Sequence, residues 1–125
     1  MIVGVGIDIL AIHRIEHLLM RFPERFKSKT FTESEIAFCE ARSNMAASFA
    51  KVFSLKEATI KAISDVGGVK WHDMEISHDS NGKPLITLHG NALRNVLRKA
   101  PAFSVLASVS DEKDYVSAFV IIEGH

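Results

Sequence analysis

Ile2-Val-Gly-Val-Gly-Ile-Asp8-Ile-Leu10 opens the chain as an apolar run broken by one carboxylate. The run reads as a strand buried on both faces, where an ionised group is costly unless it is paired, hydrogen-bonded or bound to a metal. A second anomaly of this kind lies mid-chain. Phe49-Ala-Lys-Val-Phe-Ser-Leu-Lys56-Glu57-Ala-Thr-Ile-Lys61-Ala-Ile63 is apolar around most of a helix yet carries Lys56, Glu57 and Lys61. Asp8 and Glu57, two costly carboxylates far apart in sequence, suggest one shared cation.

Between these stretches, Ile12, Ile15, Leu18, Leu19 and Phe22 recur at helical spacing, and Pro23 stops that helix. Arg14, His17 and Arg21 share its other face, and Arg25, Lys27 and Lys29 follow in a predicted loop. His13 to Lys29 holds five Lys/Arg against two Glu, a basic surface on a chain of zero formal net charge. Thr32-Glu-Ser-Glu35 has the form of a capping box and opens a helix ending near Ser43-Asn44. A longer helix spans about Met45 to Asp65 and is closed by Gly67-Gly68. Met74 to Asp79 and Leu85 to His89 alternate around Asn81-Gly82, a hairpin signature. A short helix from Asn91 to Lys99 precedes two final strands, Phe103–Ser110 and Tyr115–Glu123, joined by an acidic turn. The order β-α-α-α-β-β-α-β-β predicts a single α+β domain over residues 1–125, a largely antiparallel sheet packed with a long central helix.

Bulk properties narrow the function classes. With 125 residues the chain supports one core but not two. Neutral charge and a single aromatic-poor basic face argue against nucleic acid. Cys39 is the only cysteine, which fits a reducing cytosol and a small core or interface hydrophobe. No signal peptide or membrane span is legible, so a soluble, cytoplasmic protein is expected. His72, His78 and His89 lack ligand spacing and read as polar surface residues.

Oxygen ligands that are few in number, without a Cys/His cluster, suit Mg²⁺, which takes one or two carboxylates plus water and substrate phosphates. Lys61 lies one turn after Glu57. It can form an ordinary i,i+4 ion pair or steady a phosphate beside the metal. Asn81-Gly82-Lys83-Pro84 can be a simple turn, and the basic helix face can be simply solvated.

These motifs, in this order, resemble the 4′-phosphopantetheinyl transferases: Gly-Val-Gly-Ile-Asp8-Ile, then Phe-Ser-Leu-Lys56-Glu57-Ala-Thr-Ile-Lys61-Ala, then Asn81-Gly-Lys-Pro84. Chain length, His13-Arg14-Ile15, Phe31-Thr32-x-x-Glu35, Ser108-Val-Ser110 and Tyr115…Glu123 are similar to that family's short, trimeric class. The resemblance implies transfer of the phosphopantetheine arm of coenzyme A to a serine of an acyl carrier protein. Asp8 and Glu57 would then be the Mg²⁺ ligands, and Lys61 would contact phosphate or help deprotonate the serine. Phe53, Lys56, Gly82, Lys83, Pro84, Ser108 and Ser110 would meet coenzyme A. Arg14, His17, Arg21, Arg25 and Phe26 would receive the acidic carrier protein, although Phe26 fits a plain core role equally well. A homotrimer with sites between subunits is implied, and no nucleic acid or membrane partner.

Three departures stand out. Val52-Phe53-Ser54-Leu55 replaces a common Arg-Phe-Ala-Ala, Ile60 stands where serine is usual, and Asp111 replaces a histidine expected near coenzyme A. An acid there repels phosphate unless it turns away or binds a cation. A weakly active or non-catalytic relative that binds carrier protein or nucleotide therefore remains an alternative to the active transferase.

Overall fold

A computed structural model describes all residues, Met1–His125. Strand β1 (Ile2–Ala11) leads into helices α1 (Ile12–Arg21), α2 (Pro23–Thr30), α3 (Glu33–Glu40) and the long α4 (Met45–Ile63). A 3-10 turn at Trp71–Asp73 precedes the hairpin β2 (Met74–His78) and β3 (Pro84–Leu88), then α5 (Gly90–Leu97), β4 (Phe103–Asp111) and β5 (Tyr115–Gly124). All pairing is antiparallel, in a three-stranded sheet of order β1-β5-β4 and a separate β2-β3 pair. This is the α+β arrangement expected from the element pattern.

Helix α4 lies across the sheet and supplies the centre of the core. Phe49, Ala50, Val52, Leu55, Ala58, Ala62 and Ile63 meet Leu10, Val116, Ala118, Val120 and Ile122. The close approach is made by glycine. A Cβ at Gly4 would lie 1.8 Å from the Ala62 carbonyl oxygen, and one at Gly6 1.8 Å from that of Ala58. Only side-chain-free residues let a strand and a helix backbone come this near.

Three local expectations differ from the structure. Residues 23–30 form helix α2 rather than a loop: Pro23 occupies its first position, where a missing N–H costs nothing. Helix α4 ends at Ile63, before the glycines, with Ser64 at φ 61° taking the left-handed turn. Helix α5 and the residues just after it hold that end from outside. Lys99 Nζ donates to the Ile63 carbonyl at 2.7 Å, and Asn95 Nδ2 donates to the Asp65 carbonyl at 2.8 Å. Finally, β1 is buried on only one face. Its alternate residues Ile7 and Ile9 are 62% and 71% exposed, and Leu106 and Phe119 lie exposed on β4 and β5.

The hairpin turn is organised by Asp79, whose Oδ1 accepts from Asn81 N and Lys83 N, both at 2.9 Å. Gly82 follows at φ 83°.

Gly6→Ala forces Cβ into backbone rather than a movable side chain, so it should destabilise the protein by about 1–3 kcal/mol or more. The urea midpoint checks this; an unchanged midpoint would mean that α4 moves aside freely.

Candidate active site

The glycine contact sets α4 beside Asp8. Because side chains alternate along β1, Asp8 shares the helix-facing side with Gly4, Gly6 and Leu10. Its Oδ2 accepts from Ser54 Oγ at 2.8 Å, and Lys61 Nζ lies 3.5 Å from its Oδ1. Lys61 also donates to the Ile7 carbonyl at 2.8 Å. The expected i,i+4 pair with Glu57 is thus replaced by contacts to the edge strand. Glu57 is half-buried and forms no ion pair within 4.0 Å.

Burial pushes the Glu57 carboxyl above the usual range, the Asp8 carboxylate pushes it further, and Lys61 and Arg14 pull it back. Two distant carboxylates therefore sense each other across the α4–β1 contact. Two repelling, part-buried carboxylates with only oxygen donors fit a hard divalent cation that keeps its remaining positions for water or phosphate. No third His, Cys, Asp or Glu joins them. Arg14, expected to serve docking alone, also stands close enough to act on Glu57.

Lys56 is placed elsewhere, contrary to the expectation of a donor contact. Its side chain is 0% exposed and pairs with Glu35 Oε1 at 2.9 Å. The same ammonium donates to the Trp71 carbonyl at 2.9 Å and the Met74 carbonyl at 2.6 Å. Glu35 completes the capping box by accepting from Thr32 N at 2.9 Å, and it accepts from Ile76 N at 2.6 Å. All three ammonium protons are occupied, so Lys56 is a fixed internal tie. Removing one partner of such a pair costs about 3–5 kcal/mol. The adjoining Cys39 is buried, and its thiol is pushed up to about 12 by burial and then by Glu35, which leaves it unreactive.

Phe53 is half-buried, between Phe26 at 6.1 Å and Trp71 at 5.2 Å. Phe26 packs edge-on to Phe31 at 5.4 Å, so it braces α2 against the core and is no free anchor. The exposed aromatic of the basic face is Phe22, 44% exposed with Arg21 over its ring at 5.5 Å. Sequence reading missed it because Phe22 continues the apolar spacing of α1; it lies instead at the α1–α2 junction. Arg14, His17, Arg21 and Arg25 are all exposed.

Gly82 and a buried Pro84 line a polar cleft of about 370 Å³ with Arg42, Ser48 and Lys51, while Lys83 is exposed at the turn beside it. His78 lies in the same cleft, stacked on Phe38 at 4.0 Å rather than free on the surface. Val52, in place of the family's arginine, faces the core, and its neighbour Lys51 reaches the cleft. Lys51 Nζ lies 3.4 Å from Asp111 Oδ1, so the unexpected acid binds a cation.

Ser108 and Ser110 pair with Phe119 and Ser117, whose other partners on β1 are Ile7 and Ile9. They occupy the outward sheet face, opposite Asp8. One chain therefore does not bring these serines to the carboxylates.

Residues 4–120 match the family model described as the 4′-phosphopantetheinyl transferase superfamily. The holo-[acyl-carrier-protein] synthase of Paramagnetospirillum magneticum is 43% identical over 98% of this chain and 97% of its own. The crystal structure of the Neisseria meningitidis holo-[acyl-carrier-protein] synthase superposes with a TM-score of 0.82 at 34% identity, over 98% of this chain and 99% of that one. The Helicobacter pylori enzyme in complex with coenzyme A gives 0.81 at 32%, over 95% and 99%.

A carboxyl held high in the folded state favours folding when protonated and loses that benefit as pH rises through its folded pKa. Without divalent cation, Glu57→Gln should therefore melt higher than the parent at pH 7, with the gap closing toward pH 4. A gap independent of pH would contradict the coupling.

Proposed function

The chain belongs to the 4′-phosphopantetheinyl transferase superfamily, among the holo-[acyl-carrier-protein] synthases, and from that premise we infer its reaction and the role of each residue. The protein transfers the 4′-phosphopantetheine arm of coenzyme A to a serine of an apo-acyl carrier protein. The serine oxygen bonds to phosphorus, the bond to adenosine 3′,5′-bisphosphate breaks, and the serine proton passes to water.

The convergence of Asp8 and Glu57 across the glycine-lined α4–β1 contact supports Mg²⁺ dependence most directly. These two carboxylates would hold the ion, which supplies Lewis-acid stabilisation of charge on the diphosphate when bound. Lys61, already donating to a carbonyl and facing a carboxylate, acts as a cation that orients phosphate rather than as a base. Arg14 adds a second positive group beside the same site. Gly82, Lys83, Pro84, Arg42 and Lys51 suit the nucleotide end of the donor, with Asp111 neutralised by Lys51. That pairing removes the main objection to an active enzyme.

Arg21, Arg25, His17 and the exposed Phe22 form a basic, partly apolar surface suited to an acidic carrier protein, where such charges chiefly speed encounter. The apolar outer sheet face supports a homotrimer: Ile7, Ile9, Leu106 and Phe119 gain by covering one another in a closed ring. Ser108 and Ser110 would then reach a neighbour's carboxylates, completing donor sites between subunits. No helix is long and apolar enough to cross a membrane; cytoplasmic residence follows from the proposed carrier-protein substrate.

With Mg²⁺ and coenzyme A, an apo-acyl carrier protein should gain the mass of one phosphopantetheine arm. Glu57→Gln should lower turnover by about 10²–10³-fold while keeping the fold, the scale of losing several kcal/mol of transition-state stabilisation. A fully active variant would defeat the ligand assignment. Ile9→Asp should shift sedimentation from trimer to monomer and lower turnover with it; an intact trimer would show that this face is not the interface.

A further inference from the structure

Ser54 is fully buried on α4, and its hydroxyl reaches out of the helix to donate to Asp8 Oδ2 at 2.8 Å. A serine or threonine inside a helix commonly donates to the carbonyl four residues back. Thr59, equally buried further along α4, does so: its Oγ1 donates to the Leu55 carbonyl at 2.7 Å. Ser54 gives its proton instead to a carboxylate on a strand remote in sequence. It stands within the Val52-Phe53-Ser54-Leu55 segment, at a position where alanine is common and no hydroxyl is present.

The two oxygens of Asp8 are thereby made unequal. Oδ2 is tied to α4, whereas no hydrogen bond from the chain reaches Oδ1, which has the Lys61 ammonium at 3.5 Å. The main chain of Asp8 is anchored as well, because Ser117 Oγ on β5 donates to its carbonyl at 3.0 Å. With its backbone and one oxygen fixed, the carboxylate does not turn freely about its last bond. At about 100° per residue, Ser54, Glu57 and Lys61 lie within about 60° of one another around α4. The oxygen left free therefore faces Lys61, on the same strip of helix that carries Glu57.

We propose that Ser54 selects the metal: by holding Oδ2 it makes Asp8 offer a single oxygen, which favours Mg²⁺ over Ca²⁺. The inference rests on the assignment of Asp8 and Glu57 as ligands made above. Ca²⁺ tolerates large, flexible oxygen shells and accepts a carboxylate through both oxygens at once. Mg²⁺ demands near-octahedral geometry and takes one or two carboxylates with water and phosphate. Bringing both Asp8 oxygens onto one ion requires the carboxylate to turn, which strains the bond from a fully buried hydroxyl. Ser54 is thus a positioning residue, acting on the ion through Asp8.

The test uses full-length protein with coenzyme A and no carrier protein, so that no turnover occurs. Electron paramagnetic resonance reads free Mn²⁺, and Mg²⁺ and Ca²⁺ are titrated as competitors. Ser54→Ala removes only the hydroxyl and suits a helix interior, so its urea midpoint should stay near the parent's. Its Mg²⁺ affinity should fall about tenfold, the scale for losing a group that orients a metal ligand, while Ca²⁺ affinity holds or rises. Ser54→Cys keeps the shape with only a weak donor and should shift the preference the same way. A fall equal for both ions, or affinities unchanged in these variants, overturns the role of Ser54 and leaves the ligand assignment standing. Mn²⁺ held equally well by the parent and by Glu57→Gln overturns the ligand assignment and this inference together.

Discussion

The approach of α4 to β1 is the constraint from which the site follows. Carbonyl oxygens of Ala58 and Ala62 occupy the space that Cβ atoms of Gly6 and Gly4 would need. Any side chain at those positions would push the helix outward. Asp8, two residues beyond Gly6, would then lose Ser54, and its carboxylate would no longer face Glu57. The pattern glycine, any residue, glycine, any residue, aspartate is thus a geometric device: the glycines set the spacing, and the aspartate uses it.

The second fixed point is the buried Glu35–Lys56 pair, one residue from Glu57. It joins the start of α3, the 3-10 turn, β2 and α4 through contacts that satisfy every polar atom involved; no buried side-chain nitrogen or oxygen in the chain lacks a partner. Consecutive residues of one helix thereby take opposite duties. Lys56 is spent inside, where its charge is matched and its movement stopped. Glu57 is left facing a like charge, a state that a cation relieves.

Much of this was legible in the sequence, because desolvation makes a misplaced charge conspicuous. Asp8 in an apolar strand and Glu57 in an apolar helix declared themselves, as did the Thr32–Glu35 capping box. Lys56 showed the limit of the method: an anomalous charge signals a partner but does not say whether that partner is a ligand or another side chain. Its true partner, Glu35, was already assigned to the cap and read as satisfied. The apolar run of β1 likewise promised burial on both sides, yet the chain covers only one, because an apolar run does not say what lies against its second face, and Ile7 and Ile9 stay exposed. Ser64 took the left-handed turn that glycine would normally supply, because bonds from Asn95 in α5 and from Lys99 just beyond it, remote in sequence, hold the loop.

Within one chain the sheet separates the proposed site residues into two sets. Asp8, Ala118 and Val109 line up across the strands on the helix side, while Ser108 and Ser110 face the other way. On the proposed reading, a neighbouring copy supplies the donor contacts of Ser108 and Ser110, and both carboxylates come from one chain. Crystals grown with Mn²⁺ and coenzyme A would test this most directly through the anomalous signal of the metal. The account predicts one peak per subunit, coordinated by Asp8 and Glu57 of the same chain and by the donor's diphosphate. A metal bound without either carboxylate, or by carboxylates of two different chains, would contradict it.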